Sequence, residues 1–429
     1  MNGERRKFTL LASIFSLAIG VYWLFRPIKD SIFLSMIGGI HQPKAKMLSI
    51  VVVGCFVLLY SKLVDKFERH KLLYGFSLFY AVATACFAFF IWHPTIGMSN
   101  VVASPDRYLG WAFYLFVESF GSVMVALFWS FVSDTTTPES AKRGYFMIAI
   151  GGQSGGFLCP LIAQQVAKSY GTGIALIIPV IALFVLVGLV YCYMTTVPKK
   201  ELKGFTGGHK APLEGKTKPG FFEGIRLVFT KPYLAAIFTI VVFYEIVITI
   251  LDYHFKMFAS EVYIGEDLTN YLFSYALWTN GVALVCLFFG VGSVGRRLGL
   301  GKTILLLPIL VASAVILLYS HPLLPIAFAI MVSCKGLNYA LIQPSKEQLY
   351  IPTSKESKYK AKAWIDMFGS RSSKGMGSFI NSYRETMPIE VFASVTACLS
   401  LGLIGVWIVA ALFVGRVHAQ AIKEERIVC

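Results

Sequence analysis

The sequence predicts an all-α polytopic membrane protein with about twelve transmembrane helices in two six-helix halves. Three observations lead there. The 429 residues are 56% hydrophobic and only 14% charged, with a mean hydropathy of +0.67, a balance that a water-soluble domain does not show. Apolar runs able to cross about 30 Å of hydrocarbon, roughly 20 residues each, recur along the whole chain. Basic residues are divided very unequally between alternate loops, as membrane topology demands.

The runs lie near 8–37, 47–61, 72–92, 108–133, 143–167, 173–196, 233–259, 271–294, 303–319, 324–343, 362–382 and 389–415. The second, ninth, tenth and eleventh are short or polar, so eleven spans remain an alternative. With the N-terminus in the cytoplasm, the two ends and loops 61–71, 134–143, 197–232, 295–302 and 344–362 hold roughly 28 of the 39 Lys and Arg, against about five on the other side. Shifting the topology by one helix destroys that asymmetry, so both termini are expected to be cytoplasmic. The net charge of +16 then follows from topology, and no nucleic-acid partner is expected. The basic start MNGERRK precedes an apolar run too long for a signal h-region, and it reads as the entry to a first transmembrane helix. Eight scattered cysteines form no CxxC or His-associated metal pattern and are expected to pack as small apolar residues. No metal or cofactor is expected.

Residues Pro198 to Pro232, rich in Gly, Lys and Pro, read as a cytoplasmic linker with a short amphipathic helix at FFEGIRLVF. This divides the chain into an N-terminal bundle (1–197), a linker (198–232) and a C-terminal bundle (233–429). The halves echo each other. TPESAKRGYFMIAIGGQSGG (Thr137 to Gly156) and TSKESKYKAKAWIDMFGSRSSKG (Thr353 to Gly375) each join a polar turn to a helix rich in small residues, which let backbones approach closely. Two related six-helix halves in parallel orientation are the layout of the major facilitator fold. Asp65, Lys66 and Arg69 resemble the D-[RK]-x-x-R core of the facilitator inter-helix motif, while the loop with Gly292, Arg296 and Arg297 lacks the acid. An ordinary basic cytoplasmic loop is the alternative reading. GRRLGLGKT (Gly295 to Thr303) imitates a phosphate-binding loop, but Arg296 stands where the first glycine is needed and the flanks are membrane helices. ATP hydrolysis is therefore not expected.

Charged residues inside apolar segments mark candidate sites, because a charge near the bilayer interior costs several kcal/mol unless it faces a cavity or a partner. The first segment carries Arg26, Lys29 and Asp30 in RPIKD; spacings of three and four put them on one helix face, and Pro27 favours a kink. Snorkelling at a helix end is the alternative. Glu118 sits mid-segment with no base in its own helix, so it must protonate or find a partner on another helix. The seventh segment holds Glu245, Asp252 and Lys256; Asp252 and Lys256 are four apart in acid-first order, so a self-contained pair is the alternative to a place in the cavity. The tenth carries Lys335 and Asn338, then Gln343 and Lys346 in QPSKE, and the eleventh Asp366, Arg371 and Lys374. Bases outnumber the deeper acids, so their convergence on one cavity suits a multiply charged anion.

At these residues the chain resembles the non-mitochondrial ATP/ADP translocases, the bacterial and plastid nucleotide transporters. The resemblance rests on RPIKDSIF, on VESFGSVMVALFWSF followed by ESAKRGYFMI, and on PSKEQLYIP with ESKYKAKAWIDMFGSRSSKGMGS. It implies alternating-access exchange of ATP, ADP or related nucleotides. The family uses a lysine in helix one, a glutamate in helix four, an acid in helix seven and a lysine after helix ten, which fall here on Lys29, Glu118, Asp252 and Lys346. Arg26, Lys335, Asn338 and Arg371 complete the expected substrate-binding set. Two departures stand out: Asp252 replaces a usual glutamate, and NYALIQPSKE replaces KYSLFDPTKE. The chain is expected to work as a monomer among membrane lipids, and the resemblance implies a bacterial inner membrane. A carrier of another organic anion, or a proton symporter in which Glu118 titrates, stays open, as does a non-transporting receptor.

Overall fold

The structure, a computed structural model, describes residues 3–100, 102–198, 202, 221–288, 298–339, 343–354, 361–365, 369–424 and 426–429. Twelve helices meet the twelve expected segments: α1 (Gly3–Met36), α2 (Gln42–Lys66), α3 (Arg69–Trp92), α4 (Tyr108–Thr135), α5 (Pro138–Tyr170), α6 (Ile177–Thr196), α7 (Pro232–Val262), α8 (Glu266–Phe288), α9 (Leu300–Ser320), α10 (Leu324–Leu337), α11 (Ser370–Ser382) and α12 (Ile389–Lys423). Among the described residues nine helical spans are long and apolar enough to cross a membrane. The others are α8, the 14-residue α10 and the 13-residue α11. The amphipathic helix expected in the linker forms over Phe221–Thr230. Most of the linker, the Arg296–Arg297 pair and Asp366 lie outside the described residues.

Local chemistry sets several helix starts. Thr137 caps α5 by accepting from the Ser140 backbone N–H at 3.4 Å, with Pro138 in the first turn. α1 runs unbroken through Pro27 for 34 residues, so Arg26, Lys29 and Asp30 lie within a helix that continues to Met36. At the start of α3, Arg69 donates to Ser130 at 3.2 Å and pairs with Asp134 at 3.4 Å, both near the end of α4. The Asp65 side chain lies outside the described residues. Lys71 donates to Glu68 at 2.8 Å and holds that exposed carboxyl below the usual carboxylate range.

Two compact units are present: Met1–Lys210 with Ala259–Asn280, and Ala211–Phe258 with Gly281–Cys429. In the first, α1 lies against α5 along a seam of small residues. A Cβ on Gly155 would sit 1.9 Å from the Ser16 carbonyl oxygen, one on Gly151 2.5 Å from the Ala12 carbonyl oxygen, and one on Gly20 2.3 Å from Cys159 Sγ. The small-residue pattern of α5 thus exists to seat α1. Aromatic rings from α1 and α4 fill the space behind it, with Phe25 meeting Phe113 and Phe120 edge-on. The corner between α7 and α8 also belongs to this unit. Ser31 donates to Gly265 O at 3.0 Å, Gly265 N–H donates to Ser35 Oγ at 3.0 Å, and Gln164 donates to Asn270 O at 2.9 Å. In the second unit, α7 packs on α11 through Val242, Ile246 and Ile250, and Asn381 donates to Thr249 O at 3.2 Å.

Gly155→Val should separate α1 from α5, since overpacking typically costs about 1–3 kcal/mol and here the obstacle is backbone. We expect a lower unfolding temperature in detergent than for Gly188→Val, where an added Cβ meets nothing within 4 Å. Equal stabilities of the two variants would contradict the seam.

Candidate functional site

The first unit assembles a buried charge cluster from α1 and α4. The Lys29 side chain, on a residue only 5% exposed, ion-pairs with Glu118. Its Nζ also lies 3.5 Å from Asp30 Oδ1 and 4.3 Å from the centre of the Tyr114 ring. Glu118, which has no base in its own helix, thus takes its partner from α1. Asp30 accepts from Gln42 Nε2 at 3.3 Å. The Glu118 side chain keeps 33% of its surface open, so one side of the pair is accessible. Arg26 lies over Trp23 at 4.9 Å and Tyr22 at 5.6 Å. Tyr22 reaches α4 because Gly121 has no side chain; a Cβ there would stand 2.4 Å from the ring.

The second unit holds a denser arrangement. Asp252 on α7 accepts from Lys335 of α10 at 2.5 Å and pairs with Lys256, one turn along its own helix, at 2.6 Å. All three side chains are at most 8% exposed. Asp252 and Lys256 pair, but the alternative of a self-contained pair fails because Lys335 shares the carboxylate. The three groups carry one net positive charge. A buried ion pair adds little stability in itself, yet removing one partner costs about 3–5 kcal/mol because the other charge is left uncompensated. Such clusters are held in place by function or by specificity rather than by net stabilisation.

The remaining candidates are placed as follows. Asn338 is 4% exposed at the end of α10. Lys346 is half-buried in the short helix Gln343–Leu349, next to Glu347, which pairs with Lys362. The Gln343 side chain lies outside the described residues. Arg371 is half-buried on α11. Glu245 accepts from Ser370 at 2.8 Å and lies 3.7 Å from the exposed Lys374. The structure therefore joins Lys29 to Glu118 and Lys335 to Asp252. Sequence reasoning counted Lys256 among the inward bases and saw its spacing from Asp252, but left it out of the substrate-binding set. It missed Gln42 and Tyr114, which no local pattern marks. Among the described residues no group of His, Cys, Asp and Glu could hold a metal ion.

The described residues form helical bundles with ionic clusters buried inside them, a facilitator-like fold. Comparison with solved structures agrees at the level of fold. A POT family peptide transporter in an autoinhibited form aligns with a TM-score of 0.60 at 14% identity, over 97% of each chain. A bacterial homologue of the human lysosomal transporter Spinster aligns with a TM-score of 0.51 at 15% identity, over 99% of each chain. The family model described as TLC ATP/ADP transporter matches residues 1–418, and the chain belongs to that family, a family of transporters rather than enzymes. Relatives include ADP,ATP carrier protein 1 of Chlamydia pneumoniae, 24% identical over 95% of this chain and 90% of that one. ADP,ATP carrier protein 4 of Rickettsia bellii is 24% identical over 92% and 86%.

Proposed function

We propose that this chain exchanges ATP, ADP or related nucleotides across a membrane by alternating access of two six-helix halves, 1–197 and 233–429, joined by a linker over 198–232. The observation that carries the reading is the pairing of buried lysines with carboxylates: Lys29 with Glu118, and Lys335 and Lys256 with Asp252. Each carboxylate is a placeholder that a phosphate can displace without moving the cation from its helix. Lys29, Lys335 and Lys346 hold the phosphates in this reading, with Arg371 adding charge and Asn338 a hydrogen-bonding amide. Arg26, already stacked on Trp23 and Tyr22, forms one wall for the base. Glu118 and Asp252 reclaim the lysines when the nucleotide leaves.

Obligatory exchange requires a helix movement within each half that parts the lysines from their acids during reorientation. Separating the lysines from their acids with no anion present leaves buried cations uncompensated, at a cost of several kcal/mol; a bound polyanion removes that cost. Reorientation then requires a nucleotide in each direction. The loop-charge asymmetry supports cytoplasmic termini, and the bacterial relatives support an inner membrane. A monomer surrounded by lipid, with no nucleic-acid partner, suffices for this cycle.

The test is uptake of labelled ATP into vesicles carrying the purified protein, loaded with ADP or left empty. Internal ADP is expected to stimulate uptake several-fold, and excess unlabelled ATP to abolish it. Uptake indifferent to internal nucleotide but steeply dependent on an imposed pH gradient would identify the organic-anion or proton-coupled carrier instead.

A further inference from the structure

The second unit contains a cavity of about 490 Å³ walled by α7, α9 and α12, within the roughly 300–1,000 Å³ span of small-molecule sites. Asp252 does not line it. Two features of α12 create it. Glu390, Ser394, Ala397 and Ser400 recur at helical spacing on one face, and Ala393 and Ala397 are too short to fill the gap. At the far end α12 and α9 touch through glycines, where a Cβ on Gly415 would lie 2.9 Å from the Gly301 Cα. The pair is thus pinned at one end and lined with small residues at the other.

The lining changes character along its depth. Glu390 is exposed in the first turn of α12, and the same cavity is lined by Ser320, the last residue of α9, and by Pro322 just past it. One turn deeper, Ser394 lies 3.4 Å from the Tyr319 hydroxyl, and His254 bonds Thr396 at 3.0 Å. Below and around these lie Val315, Leu318, Ile250, Leu251 and Phe258. From Glu390 to Ser400 the helix rises about 15 Å at 1.5 Å per residue, about half of the roughly 30 Å hydrocarbon thickness. Flanking residues Ile316, Val391 and Val395 are 46–55% exposed, as helix faces bathed in lipid are.

We propose that this cavity is a binding site for one phospholipid with a primary-ammonium headgroup, its chain running inward from Glu390 through a single leaflet. Glu390, the one carboxylate among the described lining residues, lies at the mouth and selects the ammonium. Ser394 and Tyr319 lie at the depth of the ester oxygens, and the apolar walls take the acyl chain. A choline headgroup presents three methyls and no N–H donor to Glu390, so it binds more weakly.

The test is native mass spectrometry of the purified carrier released from nanodiscs of phosphatidylcholine containing graded phosphatidylethanolamine. One phosphatidylethanolamine is expected to remain in preference to phosphatidylcholine. Glu390→Gln, at an exposed position that should tolerate it, should lower that preference about tenfold, the equivalent of about 1.4 kcal/mol. Ala397→Phe should expel either lipid by filling the cavity. Equal retention of the two lipids by the unaltered protein overturns the proposal, as does a preference that survives Glu390→Gln, or a dimer appearing in place of the retained lipid.

Discussion

Lys29→Gln should reduce ATP-competable uptake to the background of protein-free vesicles, a loss of at least about 100-fold, or about 2.7 kcal/mol. Two effects act together. The phosphates lose a fixed cation, and Glu118 and Asp30, both within ion-pair range of Lys29, lose their shared counter-charge. The second effect alone destabilises the empty protein by about 3–5 kcal/mol, so low uptake of the single variant could reflect poor folding. The double variant Lys29→Gln/Glu118→Gln separates them. With one carboxylate neutralised, folding should recover while uptake stays at background. Near-normal uptake by either variant would remove Lys29 from the site.

The second large effect is expected at Asp252. Asp252→Asn keeps the shape of the side chain but leaves Lys256 and Lys335, both only 6% exposed, without the carboxylate they share. The empty protein should lose stability on the scale of a broken buried pair, about 3–5 kcal/mol. If phosphates replace the carboxylate, saturating ATP restores the missing negative charge, and ligand that binds only the folded form raises its stability by mass action. The ATP-induced rise in unfolding temperature should therefore be larger in the variant than in the original. Equal rises in the two proteins would show that phosphates do not reach these lysines. Lys256→Gln supplies the complementary measurement: Asp252 keeps Lys335, so the loss of stability should be smaller.

The helices were legible in the sequence because lipid demands long apolar runs, and every expected segment meets a helix. Boundaries were less legible. Of the segment expected over 324–343, Leu324–Leu337 is α-helical, and QPSKE lies in the short helix Gln343–Leu349. Pro27 lies inside a helix that continues on both sides of it, from Gly3 to Met36. At the candidate site, the charged residues were visible individually, since a charge in an apolar run is conspicuous. Their partners were not. Lys29 and Glu118 are 89 positions apart and Asp252 and Lys335 are 83 apart, separations no periodicity encodes. Gln42 and Tyr114 look ordinary until the fold places them beside Asp30 and Lys29.

The glycine contacts between α1 and α5 have a practical corollary for handling the protein. Lipid tails are as apolar as the side chains they surround, so helices in a bilayer are joined by shape and contact rather than by expulsion of water. A joint made of backbone against backbone therefore owes little to the surrounding amphiphile. Extraction into micelles should leave these two rods fastened while looser neighbours rearrange, and a choice of detergent can be judged by whether Cys159, half-buried against Gly20, reacts with thiol reagents no faster than it does in the bilayer.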